Sequence, residues 1–373
     1  MKGQVQTEHL RNDLNKILSV VDKKNSRPIL SYTLFKAEKN SIEFSATNLE
    51  VSAKVVIPAI VENSGTFCVN AKNIFDIVRE LPDGDIFFEM KEGTNFLNLS
   101  CNNIHYSLLV YNFEDFPQLT FSKQENEFSM GSDQLLEVIN KTSHAISSDE
   151  TRLYLNGIYL QGIDSRIRAV ATDGHRLSLL ETEPLENCSD IEPLLNGIII
   201  PRKGVFELKK IAESFPGKAL KISFDESFMY INAKDKYFLS IRLIARDYPK
   251  YQAVIPNKTS FTLSADKDAL FGAIKRIKIM SHEKSNGVRI KLKKNSMTIS
   301  ANHPSFGEAS EDIPVEYDGK EMEIGFNARY LLDTLATFNE GKIILELNNE
   351  LSPIIIKSSN SPNYLGIIMP LKL

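Results

Sequence analysis

The chain has 373 residues, 42% of them hydrophobic and 25% charged, and a formal net charge of −4. This composition is that of a soluble globular protein, and the length implies two or three domains rather than one core. No apolar run approaches the roughly 20 residues that a membrane span needs, and the mild acidity gives no global reason to expect nucleic acid.

In chain order, Met1 to Gln6 lacks the apolar core of a signal peptide. Leu10, Leu14, Ile17, Leu18 and Val21 then form a stripe that predicts a helix over 9–24. Ser41 to Asn48 alternates apolar and polar residues, as a half-buried strand does. Val69-Asn70-Ala71-Lys72 ends a strand and opens a helix over 72–81, with Asn70 as N-cap and Ile74, Ile77, Val78 and Leu81 as its stripe. Asp115-Phe116-Pro117 closes this segment.

The same order then recurs. Leu135, Ile139 and Ile146 mark a less regular helix over 132–148, and Arg166 to Asp173 repeats the strand alternation. Ile200-Pro201-Arg202-Lys203 opens a helix over 202–214, where Pro201 suits the first turn and Leu208, Ile211, Ala212 and Phe215 form the stripe. Asp247-Tyr248-Pro249 closes the second copy. In the third, Leu270, Ile274 and Ile277 predict a helix over 266–280, and Ser296 to His303 is the strand. Asn327 caps a helix over 328–338 with Leu331, Leu335 and Phe338 as its stripe, and the chain ends just past Met369-Pro370. The period of roughly 125–135 residues is that of a domain, not a solenoid unit. Boundaries near 122 and 256 give domains at 1–122, 123–256 and 257–373.

The six predicted helices hold 16 Lys and Arg against 11 Asp and Glu, a surplus of +5 in a chain of net −4. A basic helical layer on an acidic body is a directional field. Its densest part is Arg202, Lys203, Lys209 and Lys210, followed by Lys275, Arg276 and Lys278, with Lys23 and Lys24 ending the first helix. Turned to one side, such a layer would hold a duplex by its phosphates without reading sequence.

Catalytic signatures are sparse. The six histidines make no HxH or HExxH spacing, and P-loop, GxGxxG and GxSxG motifs are absent. Cys68, Cys101 and Cys188 fit no zinc or disulfide spacing, which suits a reducing cytoplasm. Asp173 and His175 stand two apart on an extended segment, so they form a candidate acid–base pair with Arg176 as an anion clamp. The corresponding places in the other copies hold Leu49-Glu50 and Ser305-Phe306, so a turn or a binding surface is the competing reading.

Ala171 to Leu177, with Arg152 to Gly157, closely resembles the bacterial DNA polymerase III beta subunit family, the sliding clamps. Ile200 to Gly204, Glu283-Lys284, Gly287 to Arg289 and Ile368 to Leu373 add to a likeness that runs the full length. The resemblance implies an α+β fold of three repeated clamp domains, each with two helices packed on antiparallel sheets. It implies a head-to-tail homodimeric ring whose helices line the hole and face double-stranded DNA.

By the same resemblance, Lys24, Arg79, Tyr154, Arg202, Lys203, Lys209, Lys275 and Arg276 would contact DNA. Tyr106 and Leu108 would meet Ile279 and Met280 across the subunit contact. A peptide pocket would use Leu155, Thr172, Gly174, His175, Arg176, Leu177, Pro249, Val254, Asn327, Tyr330, Ile367, Met369, Pro370 and Leu371. Its ligands would be short linear motifs of the replicative polymerase alpha subunit, the clamp loader, and repair and translesion polymerases. The implied role is non-catalytic and cytoplasmic, without membrane or cofactor; ATP is implied only for the loader. Ala253 stands where the family often has an arginine, Ser285 where an aromatic is sometimes found, Pro353 where a small polar residue is usual, and Leu153 beside Tyr154 breaks a tyrosine pair.

Overall fold

A computed structural model describes residues 1–21, 27–91, 93–121, 127–186, 191–339 and 341–372. Its α-helices are α1 (Thr7–Leu18), α2 (Ala71–Glu80), α3 (Ser132–Thr142), α4 (Glu192–Asn196), α5 (Arg202–Ser214), α6 (Lys267–Ile277) and α7 (Ala328–Leu335). The chain forms two compact units. One is Met1–Leu136 with Asp190–Pro193 and Lys203–Leu243; the other is Glu137–Ser189 with Leu194–Arg202 and Ile244–Leu373.

The first unit is built on one antiparallel sheet of thirteen strands. Val51–Pro58 buries alternate residues, Val51, Ala53, Val55 and Ile57, because successive side chains of a strand point to opposite faces. On its far edge it pairs with Tyr237–Arg242, with Leu239 opposite Ala53. Four strands of the middle repeat thereby extend the sheet of the first repeat. Helices α1 and α2 pack on each other. The rings of Phe44, Phe67 and Phe88 surround Phe35 with centroids at 4.6, 4.8 and 5.5 Å, an aromatic core in tilted and edge-on contacts.

The second unit holds a nine-stranded and a four-stranded antiparallel sheet, with α6 packed on α7. Here Arg176–Glu181 of the middle repeat pairs with Ser361–Ile368 of the third, placing Leu177 opposite Ile367. The middle repeat therefore contributes one set of strands to each unit.

The three aligned strands are Ser41–Thr47, Arg166–Thr172 and Ser296–His303. Asn70 accepts a hydrogen bond from the Asn73 amide at 3.0 Å, and Asn327 accepts from Arg329 and Tyr330 at 2.9 and 3.3 Å. Both are the expected N-caps. Pro201 differs from expectation: it ends the strand Ile198–Pro201, opposite Gly157, and α5 begins after it. A Cβ at Gly157 would lie 2.1 Å from the Ile200 carbonyl oxygen, so only glycine fits that pairing.

Several helices are shorter than their stripes predict. The first leaves α geometry after Leu18, and 22–26, with Lys23 and Lys24, lie outside the described residues. The helix expected over 132–148 ends at Thr142 and tightens to a 3-10 turn at Ser143–Ala145; Thr142 donates its hydroxyl back to the Val138 carbonyl at 2.6 Å. The one expected over 266–280 ends at Ile277 before a 3-10 turn at Lys278–Met280, and the one over 328–338 ends at Leu335. The short α4 had no recognised signal. Cys68 and Cys101 are buried free thiols, and Cys188 lies outside the described residues. No described helix is long and apolar enough to cross a membrane.

Candidate functional site

The segment between Arg166–Thr172 and Arg176–Glu181 is a tight turn. Asp173 Oδ1 accepts from the amides of His175 and Arg176 at 2.9 and 3.0 Å. Thr172 Oγ1 accepts from the Gly174 amide at 3.1 Å and donates to the Arg176 carbonyl at 2.6 Å. Gly174 has φ +90°, a conformation that suits glycine. Arg176 lies buried beneath the turn. Its Nε donates to Asp173 Oδ2 at 3.0 Å, its Nη1 to Asp333 Oδ2 of α7 at 2.7 Å, and its guanidinium sits 4.5 Å above the Tyr330 ring.

These bonds decide between the two sequence readings of the turn. The Asp173 carboxylate is buried and already accepts three hydrogen bonds, one of them from a guanidinium. His175 meets it only through its backbone amide, while its ring stacks on Tyr330 at 6.1 Å. No Asp173–His175 side-chain relay is formed. Arg176 is a structural cation, shared by two carboxylates and a ring, not an anion clamp.

Below the turn, His144 Nε2 lies 3.1 Å from Ser178 Oγ and 3.4 Å from Thr334 Oγ1. Burial, reinforced by Arg176, pulls its pKa down to about 4, against the opposing pull of Asp333 and Asp173. It is therefore a neutral ring at pH 7.

Beside the turn opens a cavity of about 240 Å³. Its wall contains Leu155, Thr172, Gly174, Arg176, Leu177, Pro249, Val254, Ile367 and Met369, all expected in the pocket, together with Tyr154, Lys250 and Tyr251. All belong to the second unit. The pairing of Leu177 with Ile367 brings two walls together across 190 residues of sequence. Val170, Leu177, Leu179, Tyr251, Ile355 and Ile367 form one buried cluster, with Tyr159 and Tyr248 stacked at 4.7 Å packed against it. A rigid apolar floor with few polar groups suits an apolar side chain of a ligand.

Five expected pocket residues are placed outside this wall. His175 and Tyr330 stack together, and Asn327 caps α7. Pro370 and Leu371 follow Met369, whose amide donates to the His175 carbonyl at 2.9 Å; the Leu371 amide donates to the Gly325 carbonyl at 2.7 Å. Tyr154, expected at DNA, also lines the cavity. Lys250 and Tyr251 were missed, although they directly follow the Asp247-Tyr248-Pro249 motif.

The basic helix residues are exposed or, at Lys209, half-buried, and mostly paired with acids. Arg79 lies 3.0 and 3.4 Å from Glu80 and Asp76, Lys203 2.7 Å from Glu50, and Lys209 4.0 Å from Glu213. Arg276 pairs with both oxygens of Glu311, while Arg202 and Lys275 are exposed and make no ion pair among the described residues. Lys210 has a different task. Its ammonium donates to the Asn15 and Lys16 carbonyls at 2.9 Å each and to Ser19 Oγ at 2.7 Å, closing the C-terminal end of α1. Lys24 lies outside the described residues.

Two of the open sheet edges carry the residues expected at the subunit contact. Ile104–Tyr111 pairs along its length with Phe96–Cys101, but on the other side only Val110 and Tyr111 are paired. Ile104, Tyr106 and Leu109 are exposed there, and Leu108 is half-buried. Gly307–Pro314 edges the four-stranded sheet and touches the turn that carries Ile279, 78% exposed, and half-buried Met280.

Comparison with known proteins covers the whole chain. Residues 1–120, 129–250 and 252–372 match the family models for the N-terminal, central and C-terminal domains of the DNA polymerase III beta subunit. The chain is 32% identical over 379 residues to a beta sliding clamp of Caulobacter vibrioides, with all of both chains covered. It is similar to the solved DnaN sliding clamp of Bartonella birtlesii bound to griselimycin, at 28% identity and TM-score 0.94 over all of both chains. It is also similar to a C. crescentus beta sliding clamp with polyethylene glycol at its beta-motif tethering region, at 31% identity and TM-score 0.93, over 100% of this chain and 99% of that one.

Proposed function

The chain belongs to the DNA polymerase III beta subunit family of sliding clamps, and from that membership we propose how its own surfaces carry out a clamp's work. The family acts as a processivity factor rather than a catalyst. Two copies of the chain join head to tail, the open edge at Ile104–Leu109 of one meeting the edge at Gly307–Pro314 of the other. Tyr106 and Leu108 then cover Ile279 and Met280. Exposed strand edges carry unpaired backbone donors and acceptors as well as apolar side chains, so closing two of them together satisfies both.

The domains are taken as 1–122, 123–256 and 257–373. Duplex DNA lies against Arg79, Arg202, Lys203, Lys209, Lys275 and Arg276, with Lys24 and Tyr154 as further contacts. The exposed acids now paired with these cations are easily exchanged for phosphates, which gives loose contact without sequence preference. Short linear motifs of the replicative polymerase alpha subunit, the clamp loader, and repair and translesion polymerases dock at the cavity beside the Asp173–Arg176 turn. Its observed apolar wall is what supports the docking reading most. The clamp works in the bacterial cytoplasm on chromosomal DNA.

Sedimentation equilibrium tests the assembly. The intact chain should run at twice its 42.1 kDa mass. Ile279→Asp should shift it to the monomer mass while near- and far-ultraviolet circular dichroism stay unchanged. A monomer at micromolar concentration for the unsubstituted chain would contradict the dimer.

A further inference from the structure

The cavity's polar inventory is nearly all spent internally. The Thr172 hydroxyl is bonded within the turn, and Arg176 is held by Asp173 and Asp333. Arg152, whose Nη1 would lie 3.0 Å from a Cβ at Gly174, pairs with Asp149 at 2.8 Å. Tyr251 takes part in a bond with Arg168, itself paired with Glu181. Apart from the Tyr154 hydroxyl, Lys250 is the exception, and of the two it alone is charged. It lines the cavity and is exposed, and it makes no ion pair or side-chain hydrogen bond among the described residues. Asp247, three residues before it, does not pair with it either.

We propose that Lys250 selects among docking peptides, favouring those with a carboxylate beside the apolar anchor that fills the cavity. This rests on the docking function proposed above and deepens it. About 150 Å³ is enough for a benzene ring, so a 240 Å³ cavity takes a leucyl or phenyl side chain, and its largely apolar wall, with Thr172 and Arg176 already bonded, offers a charged group no free partner inside. Discrimination by charge must therefore occur at the rim. An unpaired ammonium there gains a partner on binding without breaking an existing pair, whereas Arg152 and Arg176 would have to give one up. An amide at the same peptide position leaves the lysine as it was, and a cation is repelled.

The test uses the full-length chain and fluorescein-labelled nonapeptides ending in Leu-Phe, with Asp, Asn or Lys placed in turn at each other position. Anisotropy at low salt should show one or more positions where Asp binds about fivefold more tightly than Asn, the scale of one exposed ion pair. The preference should shrink at high salt, vanish in Lys250→Ala, and turn toward Lys in Lys250→Glu. Equal binding of Asp and Asn peptides at every position, or a preference that survives Lys250→Ala, overturns the assignment to Lys250 and leaves the docking function standing. Failure of every peptide to bind the unsubstituted chain overturns the docking function, and this inference with it.

Discussion

The Asp173–Arg176 turn and the basic face of α5 use the same chemistry, acids beside lysines or arginines, to opposite ends. In the turn, Arg176 is buried between Asp173 and Asp333, and the pairs fix a backbone shape. On α5, Lys203 and Lys209 reach Glu50 and Glu213 from solvent. Breaking a buried pair by removing one partner strands a charge, whereas an exposed pair contributes little and exchanges readily. Burial, not residue type, therefore separates a scaffold from the surface proposed to face DNA. Sequence motifs that look catalytic, such as Asp-Gly-His-Arg, can be scaffold for this reason.

The contrast can be broken most sharply at Arg176. Arg176→Ala should lower unfolding free energy by about 4 kcal/mol, because it leaves the buried Asp173 carboxylate without its cation; half-exposed Asp333 keeps Arg329. It should also abolish peptide docking, read by urea titration and anisotropy. A loss as small as that of a surface lysine would show that the buried pairs do not set the turn.

A second effect of nearly that size concerns pH. His144 is held neutral with a pKa of about 4, below the unfolded value near 6.5. The unfolded chain therefore gains a proton below pH 6.5 that the folded chain refuses. Stability should be full above pH 6.5 and fall by roughly 3 kcal/mol as pH drops toward 4, a slope that His144→Gln removes. Urea midpoints across this range check it; an unchanged slope in the variant would assign the acid sensitivity elsewhere.

The smallest effect belongs to the exposed face. Lys203→Ala or Lys209→Ala should leave stability within about 0.5 kcal/mol of the parent. Each should reduce the slope of log binding against log salt by about 0.9 if it meets one phosphate. A change of several kcal/mol in stability would place these lysines with the buried turn rather than apart from it.

Much of this was legible from local pattern. The alternation at Ser41–Thr47, Arg166–Thr172 and Ser296–His303 and the caps at Asn70 and Asn327 depend on neighbours in sequence, and the structure holds them where they were read. What escaped depends on distance. Asp333 meets Arg176 across 157 residues, and nothing near either residue announces it. Lys210 reads as part of the basic cluster of its helix, yet it closes the end of α1 across 194 residues. The split of the middle repeat between two sheets is likewise a property of edge pairing, which has no local signature. The nine cavity residues that the resemblance supplied are brought together, but Lys250 and Tyr251, which spacing did not mark, complete the wall.

The central claim is topological enclosure of DNA, and retention on circles tests it most directly. Protein assembled on nicked circular duplex by a clamp loader and ATP should remain bound in high salt, where phosphate contacts are screened, and leave once the circle is linearised. Equal, salt-sensitive loss from circular and linear DNA would contradict it.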